Sequence, residues 1–549
     1  MTRETPLEPE TTRPIVRRLA EEARAGKLDR REFMALASVF GASAAGAHSL
    51  LGLTPAAAQT AEPVSGGTLR VAMRVLEIAD PRTYDWPEMG NVARQFCETL
   101  ARWNADFTIT PMLLESWEVS DDARTYVLNV RPGVTWNNGD EFTAEDVAFN
   151  IRRWCVSGVE GNSMSTAMAT LVDAETGQLA EGVLEVVDPM TVRLNLPAPD
   201  ISLIPSMTDY TALIVHPGID EAGGLAKAPV GTGPFELEEF AIGLGAKVRR
   251  REGGWWGGAP YLDGVEFIDY GTDPTPIIAA FESGEIDVND ESPASYLEIL
   301  DSIDLVREEQ VTPQTIVVRM NVNAPPYDDP AVRRAIQQAV DNEAVLDLAM
   351  EGLGLVGENH HVGPMHPEYA ELPMPVPDPE AAMAALTEAG HADTEFEIIS
   401  IEGDWQALTA DAVAGQLRSA GLNVSRAVLP GGTFWNGWTS YPFSATDWGG
   451  RPLGVQALSL AYRSGAPWNE TGFADPEFDA KLDEALGIFD AEKRKVVMAD
   501  VETILRDSGV IIQPFWRNMY LHHVPAVMNC HRHPSREMHF EKVWMDETA

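Results

Sequence analysis

Cysteine is scarce in this chain: Cys97, Cys155 and Cys530 are the only three thiols in 549 residues. None forms a C-x-x-C pair, which argues against a zinc ribbon or a thioredoxin-like site, and at most one disulfide could form with one thiol left over. Positive charge is also in short supply. Lys and Arg number 40 against 84 Asp and Glu, a net charge of −44. Such a chain repels phosphate backbones, so nucleic acid is not an expected partner, and the acidity reads as solubility. Past the N-terminal segment there is no run of about 18 apolar residues, so no membrane span is expected there. G-x-S-x-G, H-E-x-x-H and G-x-x-x-x-G-K-[ST] are all missing. At this acidity paired carboxylates carry no signal, and no nucleophile–base–orienter set can be assembled. None of these motifs points to an enzyme, and no cofactor is expected. A secreted hydrolase is the alternative that the missing catalytic set disfavours.

What is present describes a folded protein. Apolar residues make up 44% and charged residues 23%, and a chain this long divides into two or three lobes. The N-terminus reads as an address. Asp29-Arg30-Arg31-Glu32-Phe33-Met34 precedes a stretch, Phe33 to Leu53, without Asp, Glu, Lys or Arg, and Pro55-Ala56-Ala57-Ala58-Gln59 follows. A twin arginine, a mild apolar run and a small-residue site predict a Tat-type signal peptide over 1–58, cleaved after Ala58. A membrane anchor is the competing reading, but Gly, Ser and His48 dilute the run. No cysteine follows it, so the expected product is free in the periplasm rather than lipid-anchored.

Strands and helices alternate along the rest, which predicts an α/β or mixed α+β class with more than one sheet. Alternation predicts strands at 66–75, 124–131, 183–187, 191–196, 262–270, 395–401 and 422–428, a buried strand in "IVVRMNVN", and a strand-like ending at 510–525. A glycine-rich turn, 229–240, feeds another strand. Helices are predicted at 91–101, in "FTAEDVAFNIRRW" with Thr143 as N-cap and Asp146 three residues on, and in "TPIIAAFESGEID". One long helix is predicted at 329–351, then helices at 379–389, 404–420, 475–489 and 491–507, with 358–379 a proline-rich loop.

Two motifs invite a cofactor or a metal. Gly352-Leu353-Gly354-Leu355-Val356-Gly357 fits G-x-G-x-x-G, yet it follows a helix and enters a loop, so a helix C-cap and turn is the better reading. Histidines gather at 360, 361 and 366 and again at 522, 523, 531 and 533; imidazole is a common metal ligand, and ordinary core and surface histidines are the alternative.

Several blocks, in order, carry a resemblance. They are "PMLLESWEVSDDARTYVLNVRPGVTWNNGDEFTAEDVAFNI" (111–151), "PVGTGPFEL" (229–237), "PYLDGVEF" (260–267), "AAFESGEIDV" (279–288), "MNVNAPPYDDPAVRRAIQQAVDNEAVL" (320–346) and "NETGFADPEFDAKLDEA" (469–485). Together they resemble the extracytoplasmic solute-binding proteins of family 5, which serve ABC importers of peptides, nickel and other small solutes. The resemblance implies a periplasmic binding protein type II-like fold: two α/β lobes joined by a hinge, plus an inserted third. It implies lobe I over 59–105, 226–272 and 509–549, inserted lobe II over 106–225, and lobe III over 273–508. The solute would lie between the main lobes, their closure over it being a population shift, and the closed form would be read by inner-membrane ABC permease subunits. The protein is expected to act as a monomer. A nickel or metal-chelate carrier using the histidines is the alternative function.

The resemblance also selects site residues. In the family's peptide-binding branch a tryptophan lines the cleft, and an aspartate three residues later pairs with the peptide α-ammonium. In "TDWGGRPLG" (446–454) Trp448 matches the tryptophan, but Arg451 stands at the acidic position, and Pro452-Leu453-Gly454 replaces the Asp-Pro that usually follows. A guanidinium repels an ammonium and holds a carboxylate, sulfonate or phosphate. The expected ligand is therefore a peptide-like or anionic organic solute, or a peptide in another register, unless Arg451 turns aside to pair with Asp447 or another acid. Trp435 of "GGTFWNGW", Tyr84 and Trp86 of "DPRTYDWPE", and His361 complete the expected ligand-binding set, each with ordinary core packing as its alternative.

Overall fold

The computed structural model describes residues 14–24, 28, 30–40, 42, 47, 50, 62–120, 122–488 and 491–546. The twin arginine falls at the start of the helix Arg30–Val39, whereas the expected cleavage site at 55–59 lies outside the described residues. The helix Arg30–Val39 packs on the body of the protein, where the Trp117 indole donates to Val39 O at 2.9 Å. Among the described residues no helix is long and apolar enough to cross a membrane.

Local chemistry explains where the helices begin. Asp273, Asp329, Asp378 and Asp475 each precede a proline and accept a hydrogen bond from a first-turn backbone N–H. The carboxylate satisfies a donor that the helix leaves unpaired, and proline at the first position has no N–H to satisfy. Helix Ala144–Trp154 opens on Thr143, whose N–H donates to Asp146 Oδ2 at 2.8 Å, as the capping-box spacing predicts.

A sheet of 12 strands runs through two lobes. Ten of them run from one edge in the order Phe235–Ala241, Gly245–Arg250, Gly264–Ile268, Thr68–Ala72 and Val288–Asn289, then Phe515–His523 and Val306–Met320, then Phe443–Trp448, Glu395–Ile401 and Asn423–Leu429, while Gly354–Val356 and Ile511–Ile512 pair with the two central strands off this path. The two long central strands pair antiparallel from Val306↔His523 to Thr315↔Trp516 and join the lobes. Lobe I buries Leu69, Val71, Val265 and Phe267 on one side of them; lobe III buries Ile316, Val318, Phe396 and Ile398 on the other. Lobe II has its own four-stranded antiparallel sheet, Leu114–Val119, Thr125–Val130, Thr191–Asn195 and Leu184–Asp188.

Tertiary context departs from the sequence pattern in three places. Residues 329–351 form two helices, Pro330–Gln338 and Asn342–Met350, because Asp341 caps the second one and accepts from Glu343 and Ala344 N–H. Of residues 91–101, only the first three are helical. The helix is Pro87–Ala93, and the chain after it is claimed by the glycine-rich turn: Gly233 N–H donates to Phe96 O, and Phe235 N–H to Gln95 O. A Cβ at Gly231 would lie 1.8 Å from Phe96 O, so only glycine permits this approach. Lastly, helix Pro274–Glu282 packs with Ala72 and Ile268, and Val288–Asn289 pairs with Thr68–Ala72. The expected lobe III start at residue 273 thus cuts through lobe I packing, and the sheet crosses to lobe III along Val306–Met320.

Candidate ligand-binding cleft

Trp448 ends the strand Phe443–Trp448 with its side chain fixed from behind. Its indole N–H donates to Glu470 Oε1 at 2.9 Å, while Thr446 Oγ1 and Arg319 Nε donate to Oε2 of the same carboxylate at 2.7 and 2.8 Å. Arg319 and Glu470 are almost fully buried, and Arg319 also donates to the carbonyls of Trp438 and Tyr441. Every oxygen and guanidinium nitrogen of this pair has a partner, which is what a desolvated ion pair requires.

Around Trp448 lie Trp438 and Trp468, edge-on at 6.1 and 5.9 Å. Trp435, on the short helix Gly431–Gly437, meets Trp86 of lobe I at 4.8 Å and 89°. The two main lobes therefore touch through indoles. These five tryptophans, with Tyr210, Arg451 and Asp447, line a cavity of about 90 Å³. A second cavity of about 300 Å³ adjoins it, sharing Trp86, Gln314, Asp447 and Arg536.

The second cavity carries most of the charge. Arg536 is its hub, pairing with Asp290, with Glu88 at 3.3 Å and with Glu291 at 3.2 Å. Arg74 pairs with Glu88 at 2.6 Å, and Arg517 with Glu291. Burial alone would raise the Glu291 carboxyl, but the guanidinium groups of Arg517, Arg536 and Arg532 outweigh it and hold the pKa at about 2.

The loop that follows Trp448 returns against the hinge. A Cβ at Gly450 would come within 2.6 Å of the Pro313 ring, so the small residue lets the backbone pass. Arg451 then reaches lobe II and pairs with Asp209, Nε to Oδ2 at 3.2 Å, while Nη1 donates to Gly449 and Gly450 carbonyls. Its charge is matched within the protein, by Asp209 rather than by Asp447.

Of the expected site residues, Trp86, Trp435, Trp448 and Arg451 line the aromatic cavity. Tyr84 and His361 line neither cavity. Tyr84 belongs to the lobe I core. His361 sits behind the wall, bonded to Tyr462 OH at 2.8 Å and edge-on to Trp448 at 5.6 Å; burial, helped by His366 and Arg451, pushes its pKa down to about 3. Sequence reasoning missed Trp438, although it lies one helical turn beyond Trp435 in the same motif. Gln314, Asp290, Glu291 and Arg536 gave no local signal, because long-range strand pairing brings them together.

The other sequence motifs are also placed. Gly352 (φ +75°) and Glu351 (φ +54°) end the helix Asn342–Met350, and Gly354–Val356 is a strand paired with Phe515–Arg517. His360, His361, His366, His522, His523 and His533 are buried. Among the described residues the group whose ligand atoms converge is His533, Glu537 and His539. There His533 Nε2 contacts Trp103 O at 2.8 Å and Arg94 pairs with Glu537 at 3.0 Å, so the cluster is already engaged within the protein. All three cysteines are free and buried.

The family described as bacterial extracellular solute-binding proteins, family 5 (middle), matches residues 108–470. The glutathione-binding protein GsiB of Salmonella paratyphi A is 26% identical over 445 residues, covering 75% of this chain and 82% of its own. OppA of Haemophilus influenzae, solved with the peptide RPPGFSPFR, superposes with a TM-score of 0.78 at 19% identity, over 89% of this chain and all of its own. AgaA of A. tumefaciens R10, solved with agropinic acid, gives 0.77 at 22%, over 88% and 99%.

Proposed function

The chain belongs to the bacterial extracellular solute-binding proteins of family 5, and from that premise we propose that it captures a small organic solute, peptide or peptide-like, and delivers it to ABC permease subunits. The observation that carries this reading is the cavity enclosed jointly by Trp86 of lobe I and Trp435 and Trp448 of lobe III. A solute held there touches both lobes at once, so its binding energy favours the closed arrangement over any in which they separate. We assign Trp86, Trp435 and Trp448 to the solute wall and Arg451 to the end that Asp209 closes. The role is capture without bond-making. The protein works outside the inner membrane, exported by a Tat-type leader over 1–58 and acting as a monomer.

The test is native mass spectrometry of protein purified from the periplasm, with and without denaturation, followed by small-angle scattering before and after solute is returned. The expected result is one released solute per chain and a more compact particle once it rebinds. A protein that carries no solute, and whose dimensions and tryptophan emission respond to none in a broad panel, would falsify the capture reading. Replacing Arg30-Arg31 by two lysines is expected to abolish export; unchanged export would remove the Tat assignment alone.

A further inference from the structure

The polar groups of the cleft do not balance. Arg451 is paired with Asp209; Arg74, Arg517 and Arg536 are paired with Glu88, Asp290 and Glu291. Asp447, which lines both cavities, has no cation within ion-pairing distance among the described residues. Its Oδ1 is buried with no hydrogen-bond partner. The Oε1 of Gln314, which also lines both cavities, is a second buried acceptor without a partner.

The backbone explains why these two are aimed together. Asp447 lies opposite Ile316 in the pairing of Phe443–Trp448 with Val306–Met320. Gln314 lies just beyond that pairing, which begins at Thr315, and lines the same two cavities as Asp447. Between Val311 and Thr315 the central strand slips register against Phe515–His523. Pro313 cannot donate to the ladder, and Thr312 turns its hydroxyl to Arg517 O at 2.8 Å. Such a bulge re-aims a side chain, here Gln314, toward the cavities.

Resting on the solute-capture reading, we infer that Asp447 and Gln314 form a subsite for a primary ammonium or guanidinium group borne on an apolar or aromatic stem. Two orphan acceptors, one of them anionic, require a ligand group with several N–H donors and a positive charge. The adjoining indole faces attract a cation and accept a flat apolar stem. A quaternary ammonium meets the charge requirement but has no N–H to give. Arg451 does not repel such a ligand, because Asp209 already neutralises it. The anionic ligand suggested by Arg451 in the sequence therefore loses its physical basis. Burial raises the Asp447 carboxyl pKa, although hydrogen bonds from the Gln406 side chain and the Asp447 backbone and the fields of Arg517 and Arg536 draw it back; the acid thus has hydrogen-bond donors but no ion-pair partner of its own.

Matched probes separate these requirements in calorimetric titrations of wild type and Asp447→Asn, with tryptophan emission as a second readout. Phenethylamine is compared with 2-phenylethanol and with its N-trimethylated form, and glycyl-leucine with N-acetyl-glycyl-leucine. Wild type is expected to bind the primary-ammonium members at least about tenfold tighter than their partners. Asp447→Asn, which keeps the side-chain shape, should lose that preference at an unchanged melting temperature, and Gln314→Leu should weaken it less. The subsite is overturned if neutral members bind as tightly, if Asp447→Asn keeps the preference, or if the co-purified solute has neither amine nor guanidine. Each of those outcomes leaves solute capture standing, whereas capture itself fails only on the carried-solute and compaction measurements.

Discussion

Glu470 and Asp447 are acids on two sides of one strand end, and the protein treats them oppositely. Glu470 accepts from Arg319, Thr446 and Trp448, so both of its oxygens are engaged. Asp447 keeps one oxygen buried and empty, next to a cavity. A saturated buried carboxylate holds a tryptophan still, and an unsaturated one waits for a ligand. The difference is set by how many donors surround each group, since a buried charge without partners costs far more than a paired one.

The comparison breaks most visibly at Glu470. Glu470→Ala strands the Arg319 charge and is expected to cost about 3–5 kcal/mol in urea unfolding; a loss below about 1 kcal/mol would show that the pair anchors nothing.

Glu98 is an intermediate case that sharpens it. Trp255 Nε1 donates to it at 3.1 Å and Trp256 Nε1 at 3.0 Å, yet burial still pushes its pKa up to about 7. The folded state then holds a proton that the unfolded state releases near pH 4.5, so stability should fall as pH rises from about 4.5 to about 7, by roughly 3 kcal/mol at most. Glu98→Gln should flatten that slope; an unchanged slope would place its origin elsewhere.

Arg451→Ala removes one of the links between lobes II and III and leaves Asp209 without its ion pair, an expected loss of about 2 kcal/mol on unfolding. Binding of phenethylamine should change less than threefold, or about 0.6 kcal/mol, and a larger loss would return Arg451 to direct ligand contact. Trp448→Phe removes one of Glu470's three donors and should cost about 1 kcal/mol. Smallest of all, Asp447→Asn in the ligand-free protein should shift stability by less than about 0.5 kcal/mol in either direction. A loss comparable to that of Glu470→Ala would mean that Asp447 is structural and that the contrast is false.

Much of the fold is legible in short stretches. Asp-Pro pairs open four helices, and the alternation over 395–401 matches the strand Glu395–Ile401. The same local reading fails where an outside partner takes over the backbone. Asp341 interrupts a periodic helix by capping a new one, and the glycines at 231 and 233 pull 94–100 out of helical form. The tryptophan wall was half legible: Trp86, Trp435 and Trp448 stand in aromatic motifs, whereas Trp468 does not. The histidine clusters were undecided in the sequence for a physical reason, since composition says nothing about burial, and six of the seven are buried.

By itself the sequence determined the alternating α/β plan and the helix caps, because each depends on neighbours a few residues apart. Only the tertiary structure decided what the charges mean. Arg451 reads as an anion anchor until Asp209 arrives from another lobe to neutralise it, and Asp447 reads as one acid among 84 until the hinge strand leaves its Oδ1 buried without a hydrogen-bond partner. Electrostatic and hydrogen-bond energies depend on distances in space, and those are fixed only when strands far apart in the chain pair.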